Sequence, residues 1–281
     1  MKKITLLITA SLFFLCARAG RVDTIDVYST AMHKTIRCVV VTPSSAKKSR
    51  LRFPVLYLLH GYAGNYARWL TVAPQLKSKA DDLNLIIVCP DGGYGSWYVD
   101  SPVNDSIRYD TFTALELVQH IDSVYPTVAD RSHRAISGLS MGGHGALYLA
   151  IRHTGIFGAA GSTSGLVDLS FFPKGMNFKS LFGDSTAGLA NLQDNSVINL
   201  VSHLKNRELK ITIDCGIYDF LIFPNRSLHQ KLLKLQIEHD YAERPGMHTA
   251  AYWKNSIDYQ LIFFRKFFDG APSPSAEKKN R

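Results

Sequence analysis

The run Ile136-Ser137-Gly138-Leu139-Ser140-Met141-Gly142-Gly143-His144-Gly145 has the residue types and spacing of a serine nucleophile. A β-prone run, Arg134 to Ser137, leads into Gly-x-Ser-x-Gly, and Met141 to Arg152 has helical spacing, so the serine falls on a sharp strand-to-helix turn. Such a turn holds a hydroxyl out at the sheet edge, where a base can take its proton and backbone N–H groups can stabilise an oxyanion. Gly138 and Gly142 flank it because a side chain at either position would collide in so tight a turn. A Gly-rich turn with an incidental serine is the alternative, and the strand-then-helix context speaks against it. No Lys follows the glycines, which excludes a phosphate loop, and the spacing is not that of a dinucleotide fingerprint.

A serine so placed requires an orienting acid and a base, expected later in the chain in that order. Six histidines follow Ser140. His144 lies one turn along the same helix, His153 ends it, and His203 and His229 fall in helical segments. His248, in Pro245-Gly246-Met247-His248 between a short strand and the last helix, can lean over the sheet edge toward the serine. It is favoured over His239, which reads as a surface or strand-entry residue. Asp219 is favoured as the acid because it lies just past the strand that ends at Gly216. Asp214, inside that strand, reads as a structural hydrogen-bonding residue, and Asp184 and Asp194 need no catalytic explanation. Buried beside the ring, Asp219 would fix the tautomer of His248 and stabilise the imidazolium. The expected oxyanion donors are Met141 N–H, at the helix N-terminus, and Tyr62 N–H, in the His60-Gly61-Tyr62 turn, where His60 serves as a brace.

The elements that position these residues alternate. Residues 22 to 28 and 35 to 42 read as an antiparallel pair of strands; Pro54 to Leu59 and Leu85 to Cys89 are continuous apolar runs, as in strands buried on both faces. Trp69, Val72, Leu76 and Ala80 have helical spacing, and Asp91 to Tyr109 is a long Gly-rich aromatic loop of the kind that is usually functional. Helix is expected over 110 to 124, 226 to 235 and 252 to 268, and strand over 157 to 164 and 211 to 216. Residues 166 to 195, with Phe171, Phe172, Phe178 and Phe182, read as a cap or lid, or equally as a surface excursion packed by its own phenylalanines. The pattern implies the α/β class: one mainly parallel sheet with helices on both faces, its ligands bound outside the carboxyl ends of the strands.

The chain of 281 residues, 46% of them hydrophobic, suits one such domain over residues 20–270. Before it, Lys2, Lys3, an apolar run from Ile4 to Cys16 and Ala17-Arg18-Ala19 read as a secretory signal cleaved before Gly20; a lipoprotein reading through Cys16 is weaker, because Leu15 stands where a small residue is expected. The apolar run is too short to span a bilayer, so no stable membrane insertion is expected after cleavage. Residues 271–281 read as a disordered tail. Loss of Lys2, Lys3 and Arg18 takes the formal charge from +9 to +6. No Lys/Arg stripe is interleaved with aromatics, which argues against nucleic acid. Cys38, Cys89 and Cys215 each lie in an apolar β-type run and read as packed free thiols. No His or Cys spacing suggests a metal site, and no cofactor is expected.

As an ordered set, these motifs resemble the esterase D group of α/β-hydrolases, which includes S-formylglutathione hydrolases, tributyrin and acetyl esterases, feruloyl and acetylxylan esterases of carbohydrate esterase family one, and mycolyltransferases. The matching pieces are Leu58-Leu59-His60-Gly61-Tyr62-Ala63-Gly64 with Trp69, Ser96-Trp97-Tyr98-Val99-Asp100-Ser101-Pro102, Gly138 to Gly143, Asp214-Cys215-Gly216 with Asp219, and Pro245 to His248 with Tyr252-Trp253. They span residues 22 to 268. The resemblance implies the α/β-hydrolase fold, a nucleophile, acid and base at Ser140, Asp219 and His248, and oxyanion donors at Tyr62 and Met141. It departs at Ala250, where many relatives carry a large aromatic, and at Asp110, where Glu is common.

The expected activity is that of an exported serine carboxylesterase acting on acetyl, short-chain or feruloyl esters of a small molecule or plant polysaccharide. Its rivals are an acyltransferase on the same scaffold and a carbohydrate-binding protein without catalysis. Trp97, Tyr98 and Phe220 could line a phenolic pocket, although packing explains them as well.

Overall fold

Leu56 and Leu58 face one apolar layer while Val55, Tyr57 and Leu59 face another, the two-residue alternation of a strand buried on both sides. In the computed structural model, which describes residues 20–47, 51–172 and 176–271, that strand is β3 (Val55–Leu59) of an eight-stranded sheet. The others are β1 (Arg21–Ser29), β2 (Lys34–Thr42), β4 (Ile86–Pro90), β5 (Arg134–Gly138), β6 (Ala159–Thr163), β7 (Lys210–Gly216) and β8 (Asp240–Arg244). The spatial order is β1-β2-β4-β3-β5-β6-β7-β8. β1 and β2 run antiparallel, β2 joins β4 antiparallel, and every pairing from β4 to β8 is parallel. The signal segment expected over residues 1–19 lies outside the described residues, as do residues 272–281 of the expected tail.

The helices are α1 (Arg68–Val72), α2 (Leu76–Asp82), α3 (Tyr109–Thr111), α4 (Leu117–Val124), α5 (Met141–Arg152), α6 (Phe178–Phe182), α7 (Thr186–Asp194), α8 (Val197–Leu200), α9 (Ile222–Lys234) and α10 (Ala250–Asp269). α3 and α4 are joined through a π-helical turn, Phe112–Glu116. One face of the sheet packs against Phe112, Leu117 and Ile121 and against the buried side of α5; the other packs against Trp69, Leu76, Tyr252 and Phe264 from α1, α2 and α10. The helix expected across Trp69 to Ala80 is two short helices. Pro74 lacks the N–H that would continue the first, so the chain breaks there and restarts at Leu76.

One expected boundary shifts for a similar local reason. α9 starts at Ile222 and takes Pro224 into its first turn, where a missing N–H costs nothing. Residues 166 to 195 hold short elements, Leu169–Phe171, α6 and α7, and the excursion is docked: Phe178, Leu181, Phe182 and Leu192 are buried in the main core. Ser101 Oγ donates to Leu181 O at 2.6 Å and Asn177 Nδ2 donates to Gly95 O at 3.0 Å. These bonds tie the excursion to the long loop before α3.

Candidate active site

Ser140 sits between β5 and α5 with φ 55° and ψ −118°, a backbone conformation that an L-residue occupies only where its surroundings enforce it. Close packing enforces it here. A Cβ on Gly138 would collide with the carbonyl of Gly142, and one on Gly142 would collide with the carbonyl of Leu59 on β3. Ser140 N–H donates to Thr163 O of β6 at 3.0 Å, and Gly142 N–H closes the turn onto Leu139 O at 2.8 Å.

His248 follows β8, and its Nε2 lies 3.0 Å from Ser140 Oγ. Its Nδ1 lies 3.0 and 2.9 Å from the two carboxylate oxygens of Asp219, which follows β7. Nδ1–H donates to that carboxylate, which leaves the Nε2 lone pair for the serine proton. Trp253 stands perpendicular to the imidazole at 5.0 Å and Phe220 lies tilted against it at 4.5 Å. Burial would push the Asp219 carboxyl up, but the His248 hydrogen bond and charge, with Leu221 N–H and the Ser164 hydroxyl, hold it below its ordinary value. Leu221 N–H donates to Asp219 Oδ1 at 2.9 Å, so the carboxylate is oriented from two sides.

Beside the nucleophile, a Cβ on Gly61 would meet Leu139 Cδ1 at 2.7 Å and Ser140 Cβ at 3.2 Å, so only glycine lets the Gly61–Tyr62 peptide lie this near the serine. Met141 opens α5, and its N–H is among those a helix start leaves without an intrahelical acceptor. His60 braces the turn: its Nδ1 donates to Gly61 O at 2.7 Å and its Nε2 accepts from Gly92 N–H at 2.8 Å. Burial holds the ring neutral by lowering its pKa. Its backbone carbonyl accepts from Tyr98 Oη at 3.1 Å.

Trp97 and Tyr98 do not line an open pocket; they are 1% and 0% exposed. Both adopt positive φ, 55° and 59°. The Trp97 ring packs against Tyr62, Phe178 and His144, so the pair shapes the Tyr62 turn from behind. His144 is fully buried, with Nδ1 3.2 Å from Trp97 O and Nε2 2.9 Å from Asn195 O.

Asp214 has the structural surroundings its place in β7 suggests. Its carboxylate accepts from Thr163 Oγ1 at 2.7 Å, Ser256 Oγ at 2.6 Å, Tyr252 Oη at 3.0 Å and Gln260 Nε2 at 2.8 Å. It thereby ties β6 and β7 to α10, the helix that follows His248. His239 directly precedes β8, at the opposite end of that strand from His248, and meets His229, with Nε2 2.8 Å from His229 Nδ1. His153 pairs with Asp110 at 2.5 Å. Cys38, Cys89 and Cys215 are buried free thiols. Among the described residues, no three His, Cys, Asp or Glu side chains are grouped to hold a metal ion, and no helix is long and apolar enough to cross a membrane.

What sequence reasoning missed is the support around the site. Ser164, buried with φ 51° just after β6, has no motif of its own, and Trp253, standing behind the imidazole, was given no role. Tyr252-Trp253 is the one signal that pointed there.

The chain is similar to known esterases in sequence and in fold. A family model described as "Putative esterase" matches residues 29–264. An acetyl esterase of Caldicellulosiruptor saccharolyticus is 29% identical over 264 residues, covering 87% of this chain and 98% of that protein. Among solved structures, a ferulic acid esterase is 27% identical with a TM-score of 0.77, covering 89% of this chain and all of that one. FphF, a fluorophosphonate-binding serine hydrolase of Staphylococcus aureus, has a TM-score of 0.79 at 19% identity, covering 88% of this chain and 99% of that one, a likeness of fold.

Proposed function

The chain belongs to that esterase family, with the α/β-hydrolase fold, and on this premise we propose that it is an exported serine carboxylesterase working through an acyl-enzyme. It is a carboxylic ester hydrolase of the esterase D-like group. The observation that carries the mechanism is the unbroken line Ser140 Oγ, His248 Nε2, His248 Nδ1, Asp219, with 3.0 and 2.9 Å at its two joints.

The reaction follows from that line. As Ser140 Oγ bonds to the ester carbonyl carbon, its proton passes to His248 Nε2 and the carbonyl π pair moves to oxygen. The oxyanion takes hydrogen bonds from Met141 N–H and Tyr62 N–H, each worth on the order of 10²–10³ in rate. Asp219 stabilises the imidazolium without taking its proton. Collapse of the intermediate breaks the bond to the alcohol oxygen, which leaves with the proton from Nε2. Water then repeats the sequence on the acyl-enzyme, releasing the acid and restoring the serine.

The substrates we propose are acetyl, short-chain or feruloyl esters, including those on plant polysaccharide. The acetyl esterase and ferulic acid esterase relatives support this range. The amino-terminal signal supports export to the periplasm or beyond. Ser140→Ala should lower kcat for an aryl acetate by a factor on the order of 10⁴ or more. Substantial turnover by the pure variant would remove Ser140 from the mechanism.

A further inference from the structure

Beside the imidazole, partly exposed aromatic rings touch one another in a row. Phe220, the residue after Asp219, is 50% exposed, and its ring lies 4.5 Å from that of His248. Phe172 meets Phe220 edge-on at 5.9 Å, and Phe171 meets Phe172 at 4.9 Å and is itself exposed. Met247, next to His248, is 58% exposed. The imidazole is thus backed by buried Trp253 and flanked by Phe220, from which Phe172 and Phe171 follow in ring-to-ring contact. Among the described residues, Phe220 and Phe171 keep exposed rings here, and Phe172 between them is partly buried against the core.

The place of these rings beside the imidazole matters chemically. In the mechanism proposed above, on which this inference rests, His248 Nε2–H gives its proton to the leaving alcohol, so the alcohol oxygen must come within hydrogen-bond reach of the imidazole. Groups flanking the open side of that ring therefore meet the alcohol half of the ester, whereas the acyl half is anchored at the Tyr62 and Met141 amides. We propose that Phe220, Phe172 and Phe171 form an alcohol-side subsite that selects esters of ring-bearing alcohols over those of short alkyl alcohols. An aryl ring stacks on such a platform through its edge or face, and a sugar ring does so through its C–H face; both present the broad apolar surface that these rings fit.

The test holds the acyl group constant and varies the alcohol. Acetates of ethanol, of benzyl alcohol and of the primary hydroxyl of a methyl glucoside are compared as kcat/KM ratios for the unmodified protein, Phe172→Ala and Phe220→Leu. Either variant should reduce at least one ring-to-ethyl ratio about tenfold, mainly through KM, as expected for one lost ring contact. The arm that falls tells aryl from sugar. The parallel ratio of ethyl phenylacetate to ethyl acetate, which places a ring on the acyl side, should stay as it is. Unchanged ring-to-ethyl ratios in both arms, or a fall confined to the acyl series, overturn the alcohol-side assignment while leaving the esterase standing. Failure of the unmodified protein to hydrolyse any of these esters, or methyl ferulate as a control, overturns the esterase reading itself, and this subsite with it.

Discussion

Asp219 contributes to the site through orientation. Both of its carboxylate oxygens lie within 3.0 Å of His248 Nδ1, and Leu221 N–H holds one of them in place. An amide of the same shape can present its NH₂ to Nδ1 and stabilise the wrong tautomer, which puts the ring proton on Nε2 facing the serine. Asp219→Asn should therefore fold normally and lose about 10³–10⁴ in kcat. A variant that is folded by circular dichroism yet retains most of its activity would remove Asp219 from that role. Much of this was legible in the sequence, because Ser140 sits in a motif that demands a fixed turn and Asp219 and His248 each follow a readable strand. The roles of Trp97 and Tyr98, both at positive φ, were less so: Trp97 packs against Tyr62, Phe178 and His144, and Tyr98 against Gly92, Gly145 and His60, contacts that no local pattern encodes.

At the scale of elements, the strand-turn-helix unit works because β3, β5 and α5 approach more closely than side chains allow. A Cβ on Gly142 would meet the backbone carbonyls of both Leu59 and His60, neither of which can rotate away. Gly142→Ala should cost about 2–3 kcal/mol, as overpacking does, and should displace the serine. Gly155→Ala is the counterpart, since nothing lies within 4 Å of a Cβ there. It should stay within about 0.5 kcal/mol of the parent. Urea midpoints of the two variants check the pair; equal midpoints would mean the turn is looser than its contacts imply. The sequence pattern showed that a glycine was needed but not which backbone excluded the side chain. It also carried helical spacing straight through Pro74, because the apolar period continues where the hydrogen-bond ladder stops.

For the whole molecule, the two apolar layers set how stability responds to pH. Burial pushes the His144 ring down to about 4 from its ordinary 6.5, against two backbone carbonyls that favour the charged form. A depressed imidazole stays neutral in the folded chain while the unfolded chain takes up a proton, so the stability is present above pH 6.5 and is lost as pH falls toward 4. Between pH 7 and 5 this amounts to about 2 kcal/mol. His60, lowered in the same direction, adds to it. Unfolding midpoints over that range should fall with pH, and His144→Gln should flatten the slope; an unaltered slope would mean that other groups carry the titration. The sequence places His144 one turn along the helix after Ser140, but its two carbonyl partners come from segments 47 and 51 residues away and could not be foreseen.

Within the proposed relay the longer sequence separation is that of Ser140 and His248, which are 108 residues apart and meet at one rim of the sheet. Treating the protein with a fluorophosphonate and mapping the adduct by mass spectrometry tests that meeting directly. A single phosphonyl group on the peptide containing Ser140, formed with loss of esterase activity, is the predicted result. Full activity with Ser140 unmodified, or inactivation with the adduct on another residue, would contradict it.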